Sequence, residues 1–376
     1  MRIFSIDTVA FKQAILIKIT VSAWLIAKFM SWKLWLSDRI FPTISLTDWM
    51  VFPKEVHFIL LILSLFGLTA LFFYPRNFRF MGLFFAVELM GCALDQLRWQ
   101  PWEYQYLLTI FFALIFRKDP RKFTTCLLLL IGTTYIFSGI HKFNGGFLYS
   151  IWDKMILNNF FGFSNDFIKI PIVHYSGLLL ACFEIAIGVA LLFSKNKKYV
   201  ILLAVIMHLL LLLILGPLGL NKNSIVWPWN VAMLLYVLLM FDISPFSNIL
   251  SFTQTKSGIF AAVVIILLPA TNFIGIFPNY LSYRLYSGNN QHLYLKVNKI
   301  PEELHFIPKR QINADDNRYW ISVSTWSSQV LNVPMYPEES AFIKFKKAWD
   351  KKFPNCETTF LIYAYPFRKE NIKEIP

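Results

Sequence analysis

The chain has 376 residues, 56% hydrophobic and 18% aromatic but only 15% charged, with 36 Lys/Arg against 22 Asp/Glu. Soluble domains carry about a quarter charged residues, so a wholly soluble globular protein is excluded. The net charge of +14 comes without a basic helix or a basic strand interleaved with aromatics, which excludes a nucleic-acid partner and leaves short-loop charge and contact with membrane lipids as its meaning.

Runs of about 20 mostly apolar residues suit a hydrocarbon core about 30 Å thick. In chain order they fall near 13–36, 55–74, 78–97, 103–116, 123–141, 174–193, 199–218, 225–242 and 258–277. The first is interrupted by Lys18, Lys28 and Lys33, and the fourth is short, so the count of nine has a range of eight to ten. Met1–Lys12 leads into an apolar stretch too long for a signal-peptide core, with no small-residue cleavage site. Cys92, Cys126, Cys182 and Cys356 are isolated, without CxxC or metal-ligand spacing, so no metal is expected.

Basic residues in short loops set the orientation. Arg76 and Arg79, then Arg117, Lys118, Arg121 and Lys122, then Lys195, Lys197 and Lys198 follow spans two, four and six. All lie on one side, which the rule makes cytoplasmic. The N-terminus is then cytoplasmic and, after nine spans, the C-terminal region is extracytoplasmic; the expected location is a bacterial inner membrane. Residues 148–161, with Tyr149, Trp152, Phe160 and Phe161, read as a short interfacial helix in an outer loop.

From residue 281 onward charge becomes dense, with 14 Lys/Arg and 10 Asp/Glu. Strand-like runs occur at His292–Val297, Tyr319–Thr325 and Thr359–Tyr365, and a helix is predicted from about Glu338 to Lys352, acidic at its start and basic at its end. The expected fold is an all-α polytopic membrane bundle of about nine transmembrane helices, residues 1–279, with a small α+β soluble C-terminal domain, residues 280–376.

Ionisable residues at membrane depth are costly and each marks a candidate site. Asp95 and Arg98 close span three, Glu103 opens span four, His141 and Lys142 end span five, Glu184 lies in span six, His208 in span seven, and Asn230 opens span eight. Most fall in the outer half, so one polar pocket opening outward is expected. Asp95 and Arg98, three apart, also suit a pair on one helix face. His141 suits a headgroup contact as well as a catalyst. His208 has no polar neighbour in sequence, so its imidazole needs a partner from another helix, for which Glu184 is a candidate. Lys142 either snorkels to the interface or turns into a dry pocket and serves as a general base. In the tail, Trp326 and Tyr336 lie in an aromatic- and proline-rich stretch that suits a partner-binding surface, although a small domain's own core has the same composition.

The segment Tyr135-Ile-Phe-Ser-Gly139-Ile-His-Lys142-Phe-Asn-Gly-Gly-Phe147 resembles a motif of the vitamin K-dependent γ-carboxylase family and its bacterial HTTM (horizontally transferred transmembrane) relatives. Gln100–Tyr106 is similar to the stretch that opens the preceding helix in the bacterial relatives, and the likeness spans residues 80–245. The resemblance implies a helical membrane fold with an active site facing away from the cytoplasm. It also implies a reduced quinone as cofactor or substrate, Lys142 as the base that deprotonates it, and His208 as a pocket histidine. This chain has His141-Lys142 where the carboxylase has a lysine pair, and its tail is far smaller than the carboxylase lumenal region, so glutamate carboxylation is not implied. DoxX/MauE-like redox membrane proteins are a second likeness. The alternative to a quinol-dependent enzyme is a non-catalytic membrane subunit that assembles an extracytoplasmic complex through residues 281–376. A transporter is disfavoured by the lack of an internal inverted repeat.

Overall fold

The structure, a computed structural model, describes residues 6–240, 246–304, 312–313 and 318–376. It is mostly helical. The body is built from α1 (Ile6–Met30), α2 (Lys54–Phe73), α3 (Phe78–Leu94), α4 (Pro101–Ile115) and α5 (Pro120–Ile140). A π-helix at Phe147–Phe160 and the short α6 (Asn165–Ile168) and α7 (Pro171–Tyr175) lead to α8 (Gly177–Phe193), α9 (Lys198–Leu215) and α10 (Trp227–Leu239). Then come α11 (Phe246–Thr253), α12 (Lys256–Ala262) and, after a π turn, α13 (Leu268–Ala270). The helix starts are written locally. Asn77 caps α3 by accepting from the amides of Arg79 and Phe80. Asp119 caps α5, accepting from the Lys122 amide at 3.1 Å, with Pro120 in the first turn where no donor is needed.

Among the described residues, six segments have the length and apolarity to cross a bilayer: Thr8–Met30, Lys54–Phe73, Pro120–Ile140, Pro171–Phe193, Lys198–Leu215 and Lys256–Ile274. The other three expected spans are shorter, with α3 at 17 residues, α4 at 15 and α10 at 13. At about 1.5 Å per residue, α4 reaches only roughly 22 Å. Its position explains the difference, because every residue from Pro101 to Ile110 is buried. A helix wrapped by other helices need not match the thickness of lipid. With α5, also buried along most of its length, α4 forms the centre of the body.

Among the described residues the strands all lie after residue 290. β1 (His292–Val297), β2 (Ile312–Asn313), β3 (Arg318–Ser322), β4 (Thr358–Tyr363) and β5 (Ile372–Glu374) form one antiparallel sheet of order β2-β3-β1-β4-β5. On β1 the alternation buries Leu293, Leu295 and Val297, and α14 (Val323–Leu331) and α15 (Glu339–Lys352) bring Trp326, Phe342, Phe345 and Trp349 to the domain core. Two strand-like runs are thus close to the observed β1 and β4, and the predicted helix matches α15. The run Tyr319–Thr325 is a strand only to Ser322. There the Ser322 hydroxyl accepts from the Thr325 amide at 3.3 Å and starts α14, a cap that overrides the β-branched Val323 and Thr325.

The expected contact surface at Trp326 and Tyr336 is corrected: both are interior. Trp326 is fully buried, its ring 4.6 Å from Phe41 and 5.9 Å from Trp349. Tyr336 is 5% exposed and meets Tyr280 edge-on at 5.6 Å. The aromatic density belongs to the seam between sheet domain and helical body. Asn332 Nδ2 donates to the Met30 carbonyl at 3.1 Å, Lys344 to the Ser45 carbonyl at 3.2 Å and Lys352 to the Arg39 carbonyl at 2.7 Å. The sheet domain therefore docks where α1 ends.

A second tie joins the loop after α5 to the segment entering β1. Asn144 Nδ2 donates to the Ser287 carbonyl at 3.0 Å. The backbones of Gly146 and Gly288 cross so closely that a Cβ on Gly146 would lie 2.2 Å from the Gly288 oxygen. Gly288 also has φ +66, so glycine is required on both counts.

Candidate functional site

At that end of the body a cavity of about 110 Å³ lies between α5, α8, α9 and α10, room for several water molecules or the head of a larger ligand. Most of its wall is apolar, including Met155, Met207, Leu211 and Met233, and Tyr283 and Tyr286 reach it from the segment that enters β1. The polar groups form two stations.

The first station is Lys142 with Glu184. Tyr135 and Ser138 on α5 and Lys142 in the turn that follows it recur at intervals of three and four, which brings them to one face. Lys142 Nζ donates to Glu184 Oε2 at 2.6 Å, to Ser138 Oγ at 2.8 Å and to the Ser138 carbonyl at 3.2 Å. Ser138 Oγ in turn donates to Glu184 Oε2 at 3.0 Å. Both charged side chains are more than nine-tenths buried. Lys142 turns into the cavity; it does not snorkel.

The second station is a chain through three helices. Asn230 Nδ2 donates to the Val226 carbonyl at 2.9 Å, which orients its amide and leaves Oδ1 facing His208 Nδ1 at 3.0 Å. His208 Nε2 lies 2.5 Å from the Tyr135 hydroxyl. The carbonyl oxygen of Asn230 only accepts, so Nδ1 carries the imidazole proton and Nε2 carries the lone pair. The Tyr135 hydroxyl therefore donates to His208. The partner that His208 needs from another helix is Tyr135 together with Asn230, while Glu184 pairs with Lys142.

Four of the sequence-predicted site residues thus meet in one cavity: Lys142, Glu184, His208 and Asn230. The others sit elsewhere. His141 ends α5 with its ring stacked 4.8 Å from Phe273. Asp95 and Arg98 do not pair, because α3 ends at Leu94 and a 3-10 turn carries Arg98 away. Asp95 accepts instead from the Arg39 guanidinium and from the Ile44 and Leu97 amides. Arg98 donates to the Gly91 carbonyl at 2.7 Å, to the Leu34 carbonyl at 3.2 Å and to His57 Nδ1 at 3.0 Å. Glu103 accepts from Trp24 Nε1 at 2.7 Å, close to a buried Lys28–Glu88 pair at 2.8 Å. These six charged residues, three cations and three carboxylates, are buried where α1, α3, α4 and the loop after α1 meet. They balance in formal charge and hold those elements together.

Among the described residues no three His, Cys, Asp or Glu side chains converge as a metal site requires. Tyr135 and Ser138 carry polar roles that sequence reading did not assign them, although their spacing from Lys142 was a usable signal. Compared with protein-family models, with curated proteins and with solved structures, the chain matches none.

Proposed function

We propose that the chain is a polytopic membrane enzyme that binds a lipid-soluble hydroxylated ring, of the quinol class, in this cavity and removes a proton from it. The observation that carries the reading is the pairing of two stations in one apolar cavity: a buried ammonium–carboxylate pair and a Tyr–His–Asn chain. An apolar ring suits the methionine- and leucine-lined wall, and a hydroxyl is what the two stations recognise. The resemblance of Tyr135–Phe147 to the vitamin K-dependent γ-carboxylase family and its bacterial relatives supports the same substrate class. Glutamate carboxylation is not part of the proposal.

The topology that goes with this reading has all nine helices crossing, the short α3, α4 and α10 among them, with the cavity and the sheet domain outside the cytoplasm. It is supported by the clusters Arg76/Arg79, Arg117–Lys122 and Lys195–Lys198, which follow α2, α4 and α8, whereas the sheet domain docks where α1 ends. The competing reading of a non-catalytic subunit loses its main support with the burial of Trp326 and Tyr336.

The test is turnover of a short-chain benzoquinol by the purified protein in lipid nanodiscs, read as oxygen consumption and quinone absorbance. Wild type is expected to be active, and Lys142→Ala and His208→Ala are expected to be inactive. Wild-type rates in both variants, or no binding of the quinol by wild type, reject the reading.

A further inference from the structure

An ammonium has three donor positions and no lone pair. All three of Lys142 are occupied, by Glu184 Oε2, Ser138 Oγ and the Ser138 carbonyl. The carboxylate and the carbonyl only accept, and the Ser138 hydroxyl spends its own hydrogen on Glu184. Lys142 in this arrangement is a fixed cation with nothing to offer a proton. The opposite holds at the second station. There the imidazole proton is committed to Asn230, the lone pair on His208 Nε2 faces the Tyr135 hydroxyl, and Tyr135 and His208 both line the cavity.

Resting on the quinol reading above, the geometry points to Tyr135 as the catalytic residue that takes the proton, passing it to His208, with Asn230 holding the tautomer and Lys142 stabilising the oxyanion that forms. The step balances. The substrate O–H bond breaks and its proton goes to the Tyr135 oxygen. The Tyr135 O–H bond breaks and its proton goes to His208 Nε2. The electron pair stays on the substrate oxygen, in the cavity that Lys142 also lines, and no oxidant is needed for this transfer. The imidazolium that results keeps its Nδ1 proton on Asn230 and has the Glu184 carboxylate in the same cavity. This reverses the part that the family resemblance implies for Lys142: the lysine is the electrostatic partner, and the base is a relay ending on a different helix.

Two measurements on the full-length protein test it. In nitrogen-15 histidine-labelled protein, with His208→Gln used to assign the His208 signals, Nδ1 is expected to be protonated and Nε2 to be a hydrogen-bond acceptor whose shift moves in Tyr135→Phe. A proton on Nε2 overturns the relay whether or not any quinol is turned over, so this arm decides it even if the quinol reading fails. In the benzoquinol assay, Tyr135→Phe is expected to lower kcat by about 100-fold with little change in KM, the usual size of a general-base contribution. Lys142→Arg, which keeps the charge but cannot lose it, is expected to show measurable turnover where Lys142→Ala shows none. An inactive Lys142→Arg beside a Tyr135→Phe of wild-type kcat overturns the assignment, and so does an inactive Glu184→Gln beside an active Tyr135→Phe.

Discussion

Lys142 and Glu184 illustrate what burial does to an ion pair. Their 2.6 Å contact is more than nine-tenths excluded from solvent, so each charge depends on the other. Removing one partner leaves the second buried without a counter-charge. Glu184→Gln is therefore expected to destabilise the protein by about 3–5 kcal/mol, and the double variant Lys142→Met/Glu184→Leu to recover most of that loss without recovering activity. Thermal unfolding in detergent, followed beside the quinol assay, checks both statements; equal destabilisation in the single and double variants contradicts them. The sequence alone shows that these residues are costly where they stand. It does not show the pairing, because 42 positions separate the two and nothing local links them. His208 teaches the same lesson. Its need for a cross-helix partner is legible from its apolar neighbours, but the identity of that partner depends on which faces of α5 and α10 turn toward α9.

At the scale of elements, what was legible followed periodicity. β1 reads cleanly because every second residue is apolar, and α15 because its charges suit the helix ends. The helix α14 is hidden by β-branched residues and revealed only by the Ser322 cap. Strand β5 lies at a sheet edge, too short to carry a pattern of its own. His292 at the start of β1 makes this domain sensitive to acid. Burial lowers its pKa from the ordinary 6.5. A histidine with a depressed folded pKa contributes stability above 6.5 that is lost as pH falls from there toward the folded value. The sheet domain is thus expected to loosen in mild acid, and His292→Gln to flatten that dependence; hydrogen exchange of the β1 amides across this pH range is the measurement. The glycine crossing makes a second forecast. Gly288→Ala places an L residue in the left-handed region, at a cost of roughly 1–2 kcal/mol before the contact with Gly146 is counted. The melting temperature should fall and the loop from Phe143 to Phe147 should exchange faster, whereas an unchanged melt would show that the crossing carries no load.

For the whole molecule, the charge step at residue 281 pointed to two parts, and the structure adds that they are bound to each other through a buried aromatic seam. Phe41 from the body is fully buried against Trp326 and Phe345 of the sheet domain. Phe41→Ala should cost about 3–5 kcal/mol and expose α14 to limited proteolysis while leaving α1 to α5 protected. The nine-pass topology is a separate forecast. A single cysteine placed at Lys118 should label with an impermeant thiol reagent only from the cytoplasmic side, and one at Lys373 only from the other. Labelling of both from one side would reverse the placement of the sheet domain. Of the three short helices, α4 is shielded by its neighbours and escapes the length that lipid imposes, which is one reason that hydropathy left the count open.

The crossing of Gly146 with Gly288 also carries a consequence for biosynthesis. Residues as far as α10 supply the cavity walls, yet Tyr283 and Tyr286 leave the ribosome only after the last apolar helix has been made. During synthesis the site therefore lacks these two wall residues until that segment has been made. The wall is completed when the segment leading to β1 meets the loop after α5. A cavity that needs this segment for its wall is in this way finished only when the C-terminal third of the chain is in place.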